Sequence, residues 1–320
     1  MQPFVRRFIK PHLPPHVVML AVTYRCQARC QHCMVKNYIK EEPELTLDEI
    51  AEVIDQAAKI GTKCIYYFGG EPLVRHDFVD IIRMTNEAGL RARFDTNGAL
   101  LDADTARKLR EVGGLYIVGV SIDNPDPARH DKHRGLEGSF DDALRAIENC
   151  KAENIPVHIS YYVTKAGLHN GDLQKTIDLG RDLGVDGIRV MSPIICGRLV
   201  DSPDMKFSRE EEQELQTHLV PGFVYLEQDS ITSDCRCPAF QKEYLYISCY
   251  GEVQPCCFVP VTFGNIRQEP LADLLQRMWK SPMFAGDNDK CLGCSVPHQD
   301  GSLLDSNRRD LPLDFRKLEN

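Results

Sequence analysis

The sequence predicts an α/β fold built on parallel strands, followed by a small cysteine-stapled module. Three observations predict it. Short apolar runs alternate with amphipathic helical segments, and that alternation stops near Ile194. The cysteines, 13 among 320 residues, gather near positions 26–33, 235–257 and 291–294.

The elements follow in order. Residues 17–22 form the first apolar run. Thr46-x-x-Glu49 is a capping box, and Leu47, Ile50, Ala51, Val53, Ile54, Ala57 and Ala58 keep helical spacing until Gly61 ends the helix. Residues 64–68 read as a buried strand followed by a helix over 76–88, and 91–96 as a strand followed by a helix over 102–112. Residues 115–122 are the fourth strand, with Ser139-x-x-Asp142 capping a helix that runs to about Lys151. Residues 156–164 and 187–191 are the last two strands, separated by a helix over 173–183. Six such units imply parallel strands with right-handed crossovers, in a closed barrel, a partly closed barrel or an open sheet. In each, ligands sit at the C-terminal strand ends. Ser208-x-x-Glu211 caps one more helix; from about Thr232 come short strands at 244–248 and 253–255 with a turn at Tyr250-Gly251. The last 20 residues are polar and read as a surface tail.

Composition removes several classes. Hydrophobic residues make up 42% and charged residues 27%, which excludes a mainly disordered chain, a collagen and a coiled coil. No apolar run approaches the roughly 18 residues of a membrane span. Arg6-Arg7-Phe8-Ile9-Lys10 is similar to a twin-arginine export signal, but the apolar stretch after it is too short, so a cytoplasmic protein is expected. Basic residues number 38 and acidic residues 47, a net charge of −9. That balance disfavours nucleic acid and suits a cationic ligand, although solubility alone explains it as well. An odd cysteine count in such a chain points to metal sites rather than disulfides.

Cys26-x-x-x-Cys30-x-x-Cys33 directly follows the first strand. Three thiolates on one loop suit three irons of a [4Fe–4S] cluster and leave the fourth iron open. Spacing alone also admits a zinc site that borrows Cys64 or His32. Together with Gly69-Gly70-Glu71-Pro72 after the second strand, the motif resembles the radical S-adenosylmethionine (SAM) superfamily. The resemblance spans about residues 15–295. It implies a partial (β/α)6 barrel and SAM bound at the open iron, cleaved to a 5′-deoxyadenosyl radical that abstracts hydrogen. It also implies an external one-electron reductant such as flavodoxin or ferredoxin. Gly69, Gly70 and Glu71 match the family's GGE motif, in which the glycines admit the backbone and the acid holds the SAM ammonium. Asn97 in Asp95-Thr96-Asn97-Gly98, then Ser121 and Asp123, and Arg134 in His130-Asp131-x-x-Arg134-Gly135, are similar to further SAM contacts. His32 departs from the aromatic residue more usual before the third cysteine.

Cys237, Gly251-x-x-x-x-Cys256 and Cys291-x-x-Cys294 form a second set. It resembles the SPASM/twitch auxiliary domain. No cysteine follows Cys294, which implies the shorter twitch form with one auxiliary [4Fe–4S] cluster on Cys237, Cys256, Cys291 and Cys294. Cys235 and Cys257 are adjacent alternatives, and a zinc ribbon is the plainer reading. The expected organisation is an extension over 1–15, a barrel over 16–215, the module over 216–300 and a tail over 301–320.

Cys249 stands in the turn that leads to Cys256, where Pro, Asp or Asn is more usual. A free thiol there suits hydrogen return to a substrate radical. The combination resembles the neomycin C epimerase family, which implies inversion of one carbon of an aminoglycoside sugar with Cys249 as the catalytic donor. A twitch-type dehydrogenase oxidising an aminocyclitol alcohol is the alternative. Peptide modification is less expected, because only about 16 residues precede the first strand. A non-catalytic SAM-binding electron carrier is the reading from another class.

Overall fold

The computed structural model describes residues 15–226, 237–284 and 311–317. Strands β1 (Val17–Thr23), β2 (Cys64–Gly69), β3 (Arg91–Thr96), β4 (Leu115–Ser121), β5 (Val157–Tyr162) and β6 (Gly187–Met191) pair in parallel in chain order. The helices between them are α1 (Leu47–Lys59), α2 (Phe78–Glu87), α3 (Ala103–Val112), α4 (Pro127–Arg134), α5 (Ser139–Ala152), α6 (Lys165–His169) and α7 (Asp172–Leu183). The fold is the expected α/β architecture, a partial barrel of parallel strands.

The sheet is larger than the six expected strands. A seventh strand, β7 (Val224–Leu226), joins β6 in parallel after helix α8 (Arg209–Thr217). At the other edge β8 (Tyr244–Ile247) pairs in parallel with β1, and β9 (Val253–Gln254) returns antiparallel to it, giving the order β7-β6-β5-β4-β3-β2-β1-β8-β9. The cysteine-rich segment therefore extends the barrel sheet. Nothing in local spacing shows this, because β1 looks the same in sequence whether one neighbour or two bond to it.

Strand parity divides the interior. Val18, Leu20, Ile65, Tyr67, Phe94, Val118, Ile159 and Ile188 pack with Ile50, Val53, Ile81, Leu109, Ile147 and Ile177 of the helices. Burying each such side chain stabilises the fold by about 1.5–3 kcal/mol. The alternate residues Met19, Ala21 and Tyr66 form a second cluster with Tyr24, Tyr246, Cys249 and Cys257. Both capping boxes form, Thr46 with Glu49 and Ser208 with Glu211. The cap expected at Ser139 does not. Gly138, at φ 76°, is the cap residue, and the Ser139 hydroxyl donates to Asp131 instead. Asp131 also accepts the Gly138 and Phe140 N–H groups, so α4 supplies the acceptor for the start of α5. Helix α4 itself had no periodic signal, since its buried residues are His130 and Arg134 rather than apolar ones.

Candidate active site

The C-terminal ends of β1 to β6 surround a cavity of about 450 Å³. Cys26, Cys30 and Cys33 line it on the loop after β1. That loop is held from two sides. The Gly70 N–H donates to the Thr23 carbonyl at 2.8 Å and the Glu71 N–H to the Arg25 carbonyl at 2.9 Å. The Arg29 and Gln31 N–H groups donate to the carbonyls of Arg134 and His133 at 2.8 and 2.9 Å, strapping the loop to the end of α4. The two glycines are required by closeness. A Cβ on Gly70 would lie 2.1 Å from the Arg25 carbonyl oxygen, and one on Gly69, where φ is +133°, 2.2 Å from that of Thr23.

The surroundings of the thiols fit a cluster. Arg134 donates to the Cys30 sulfur at 3.5 Å and Asn97 Nδ2 to the Cys26 sulfur at 3.8 Å. Such donors stabilise metal-bound thiolates and orient them. Burial nevertheless pushes the Cys26 thiol up to about 11 and raises Cys33, so metal binding must release protons.

Glu71 is buried and accepts from the Thr96 hydroxyl and the Asn97 N–H, both at 2.8 Å, and from the Leu73 N–H at 3.2 Å. Burial pushes its carboxyl up to about 7, against the pull of those donors and of Arg134. Asp123 is buried and lies 2.7 Å from Arg134 Nε. Burial would raise its carboxyl, but Arg134 outweighs it and holds the group well below the usual range. His32 stacks on Tyr162 with centroids 4.0 Å apart. Burial lowers His32 to about 3, so the ring is neutral. His32, His133 and Asp123 bring ligand atoms within 4.8 Å of one another, but the Asp123 carboxylate already faces Arg134. Ser121 lines the cavity at the end of β4.

On the module side, Cys237, Cys256 and Cys257 line the same cavity, and Cys196 joins them from the barrel. Cys235, Cys291 and Cys294 lie outside the described residues. Cys249 is fully buried beside the cavity and is not among its lining residues. It packs in one apolar cluster with Tyr24, which does line the cavity. Burial, reinforced by Glu44 and Glu252, pushes its thiol far up and keeps it protonated.

Sequence reasoning missed two features. Cys196 follows β6 and is a buried thiol raised to about 12 by burial, next to Cys256 and Cys33. Asp95, on the cavity wall, accepts from Tyr66 and from the buried Arg189. Arg189 inside the otherwise apolar β6 was the available signal for the second.

The radical SAM superfamily profile matches residues 20–180, half of the chain. The chain belongs to the radical SAM superfamily. An iron–sulfur cluster-binding SPASM domain matches residues 235–295. The cofactors of this radical SAM enzyme are accordingly SAM and two [4Fe–4S] clusters. Cys26, Cys30 and Cys33 on the loop after β1 would hold the first cluster, which with SAM bound would supply the hydrogen-abstracting radical typical of the superfamily.

Relatives differ in what they make. The chain is 28% identical over 288 residues to an AdoMet-dependent heme synthase of Methanosarcina barkeri, covering 81% of this chain and 82% of the relative. It is 23% identical over 282 residues to a PqqA peptide cyclase of Granulibacter bethesdensis, covering 82% and 74%. Among solved structures it is similar in fold to Streptococcus suis SuiB bound to precursor peptide SuiA, with a TM-score of 0.67 at 17% identity, covering 91% of this chain and 71% of that one. No helix among the described residues is long and apolar enough to cross a membrane.

Proposed function

We propose that this radical SAM/SPASM enzyme is an epimerase acting on an aminoglycoside sugar of the neomycin type, with Cys249 as hydrogen donor. The observation that carries the reading is the buried Cys249 thiol on the module's turn, in one apolar cluster with Tyr24, which stands two residues before Cys26. A carbon radical takes hydrogen from S–H readily because that bond is weaker than C–H. Removal of hydrogen from one face of a stereocentre, then return from Cys249 to the other, inverts the carbon and leaves a thiyl radical on Cys249, which one electron from the external reductant, relayed by the auxiliary cluster, and one proton would return to the thiol. A thiolate could not serve, and burial beside Glu44 and Glu252 prevents one from forming. Arg29, Lys36, Arg134 and Arg198 are the cationic lining residues, and two of them face the cluster cysteines. Arg134 donates to Cys30, and the positive charge of Arg198 lies close enough to Cys33 to favour its thiolate, so both would offset thiolate charge at a bound cluster. Asp95 is the other acid on the described cavity wall beside Glu71, and its carboxylate already holds Tyr66 and Arg189.

A second reading rests on a specific observation. Met19, Tyr24, Met34, Tyr66, Phe68, Met191 and Phe258 give the cavity a mainly apolar wall. Such a wall suits a flat tetrapyrrole, in keeping with the heme synthase relatives, and an oxidation rather than an inversion.

The test is turnover of the anaerobically reconstituted enzyme in D₂O with neomycin C, wild type against Cys249→Ala. The epimerase reading expects one deuterium in an isomeric product from wild type, and deoxyadenosine without that isomer from the variant. A product two mass units lighter supports dehydrogenation. Turnover of an iron coproporphyrin but of no aminoglycoside overturns the epimerase in favour of the second reading.

A further inference from the structure

We infer that Arg267 is the positioning residue for Cys249, an inference that rests on the donor role proposed above. Arg267 lies on the module between β9 and helix α9 (Leu271–Lys280), yet most of its side-chain contacts are with the barrel. Its Nε and Nη2 donate to the two carboxylate oxygens of Glu49 at 2.6 and 2.9 Å. The same guanidinium donates to the carbonyls of Pro43 at 3.1 Å and Glu44 at 3.2 Å, and reaches that of Tyr250 at 3.4 Å. One planar group thus holds the segment before α1 and the turn carrying Cys249.

The two held segments are also bonded to each other at the donor. The Leu45 N–H donates to the Cys249 carbonyl at 2.7 Å. Asn265 Nδ2 takes the Tyr250 carbonyl at 2.9 Å, fixing the other side of the turn. Segment 43–45 is tied in turn to the cluster loop. The Glu44 carboxylate accepts from the Tyr24 N–H at 2.9 Å and the Thr23 hydroxyl at 2.7 Å. A continuous path of hydrogen bonds therefore runs from the end of β1 through Glu44 to Arg267 and the Cys249 turn. Glu49 anchors it rigidly, because its carboxylate also closes the capping box of α1 through the Thr46 N–H at 2.8 Å. The arrangement needs arginine. Only a planar fork reaches a carboxylate in bidentate fashion and three carbonyls at once, whereas a lysine offers a point charge.

Hydrogen transfer is sensitive to placement, since a misplacement of about 1 Å can cost on the order of 100-fold. The quantity to measure is deoxyadenosine formed per molecule of isomerised product, for wild type, Arg267→Lys, Arg267→Ala and Cys249→Ala holoenzymes. A variant that merely folds less well lowers both products together and leaves the ratio unchanged. Alkylation of Cys249, followed by peptide mass mapping, gives a second readout that needs no turnover. The expected result is a ratio raised about tenfold in Arg267→Ala and less in Arg267→Lys, with faster Cys249 alkylation in both. Glu49→Gln, which leaves the three carbonyl contacts in place, is expected to fall between wild type and Arg267→Ala. A wild-type ratio and alkylation rate in Arg267→Ala, with Cys249→Ala uncoupled, overturns this inference alone. Normal coupling in Cys249→Ala overturns the donor reading and this inference with it.

Discussion

Arg134 lies 2.7 Å from the Asp123 carboxylate, and both side chains are buried behind the Cys30 loop. The pair joins β4 to α4, and through Arg134 it reaches the Cys30 sulfur. It carries position rather than net stability, because two charges removed from water regain little more than their desolvation cost.

Breaking that pair from one side has a definite consequence. Asp123→Ala strands a buried guanidinium and is expected to cost about 3–5 kcal/mol. Asp123→Ala with Arg134→Met removes both charges and is expected to recover much of that loss. Denaturant unfolding of the iron-free chain measures both. Equal destabilisation in the single and double variants would show that Arg134 is not stranded.

Gly70→Ala is expected to disturb the cluster loop specifically. The new Cβ would meet backbone atoms of Tyr24 and Arg25, none of which is the free end of a flexible side chain. Iron content should fall to that of the auxiliary cluster alone, with helix content retained. Gly89→Ala is the control, since a Cβ there meets nothing within 4 Å, although its φ of +74° carries some strain. Full iron loading in Gly70→Ala would mean the loop moves aside without consequence.

The Glu49–Arg267 bridge predicts an acid-sensitive attachment of the cysteine turn. Hydrogen bonding from Arg267 lowers the Glu49 carboxyl to about 2, below its unfolded value of about 4.3. A carboxyl depressed on folding stabilises fully above the unfolded value and loses that contribution as pH falls toward the folded one. Cleavage near the Cys249 turn by an acid-active protease should therefore rise from about pH 4.5 downward. Glu49→Gln should be cleaved faster at neutral pH and lose most of that pH dependence. Because the bridge is partly solvated, the effect is small relative to global stability. The same acid profile in wild type and Glu49→Gln would remove the bridge as its cause.

Much of the site was legible in the chain because its chemistry is local. Cys26, Cys30 and Cys33 share one loop, and a loop after a buried strand places them at a strand end. Gly69 and Gly70 could be read because close backbone approach admits no side chain, and the contacts with Thr23 and Arg25 show that approach. The strand–helix alternation gave the parallel sheet because each crossover is built from contiguous residues. Asp95, Tyr66 and Arg189 were not legible as a group. They come from three strands, and only the barrel's curvature brings them together.

The sequence by itself determined the six strand–helix units and the three-cysteine loop, since each depends on spacing within a short window, and two motifs in strand context carried the resemblance to the superfamily. The tertiary structure alone decided that β8 extends the barrel sheet beside β1. It also decided that Arg267 reaches back across more than two hundred residues to Glu49, and that Cys249 is buried behind Tyr24. Those relationships depend on which surfaces exclude water from one another, a property of the folded chain that no local pattern encodes.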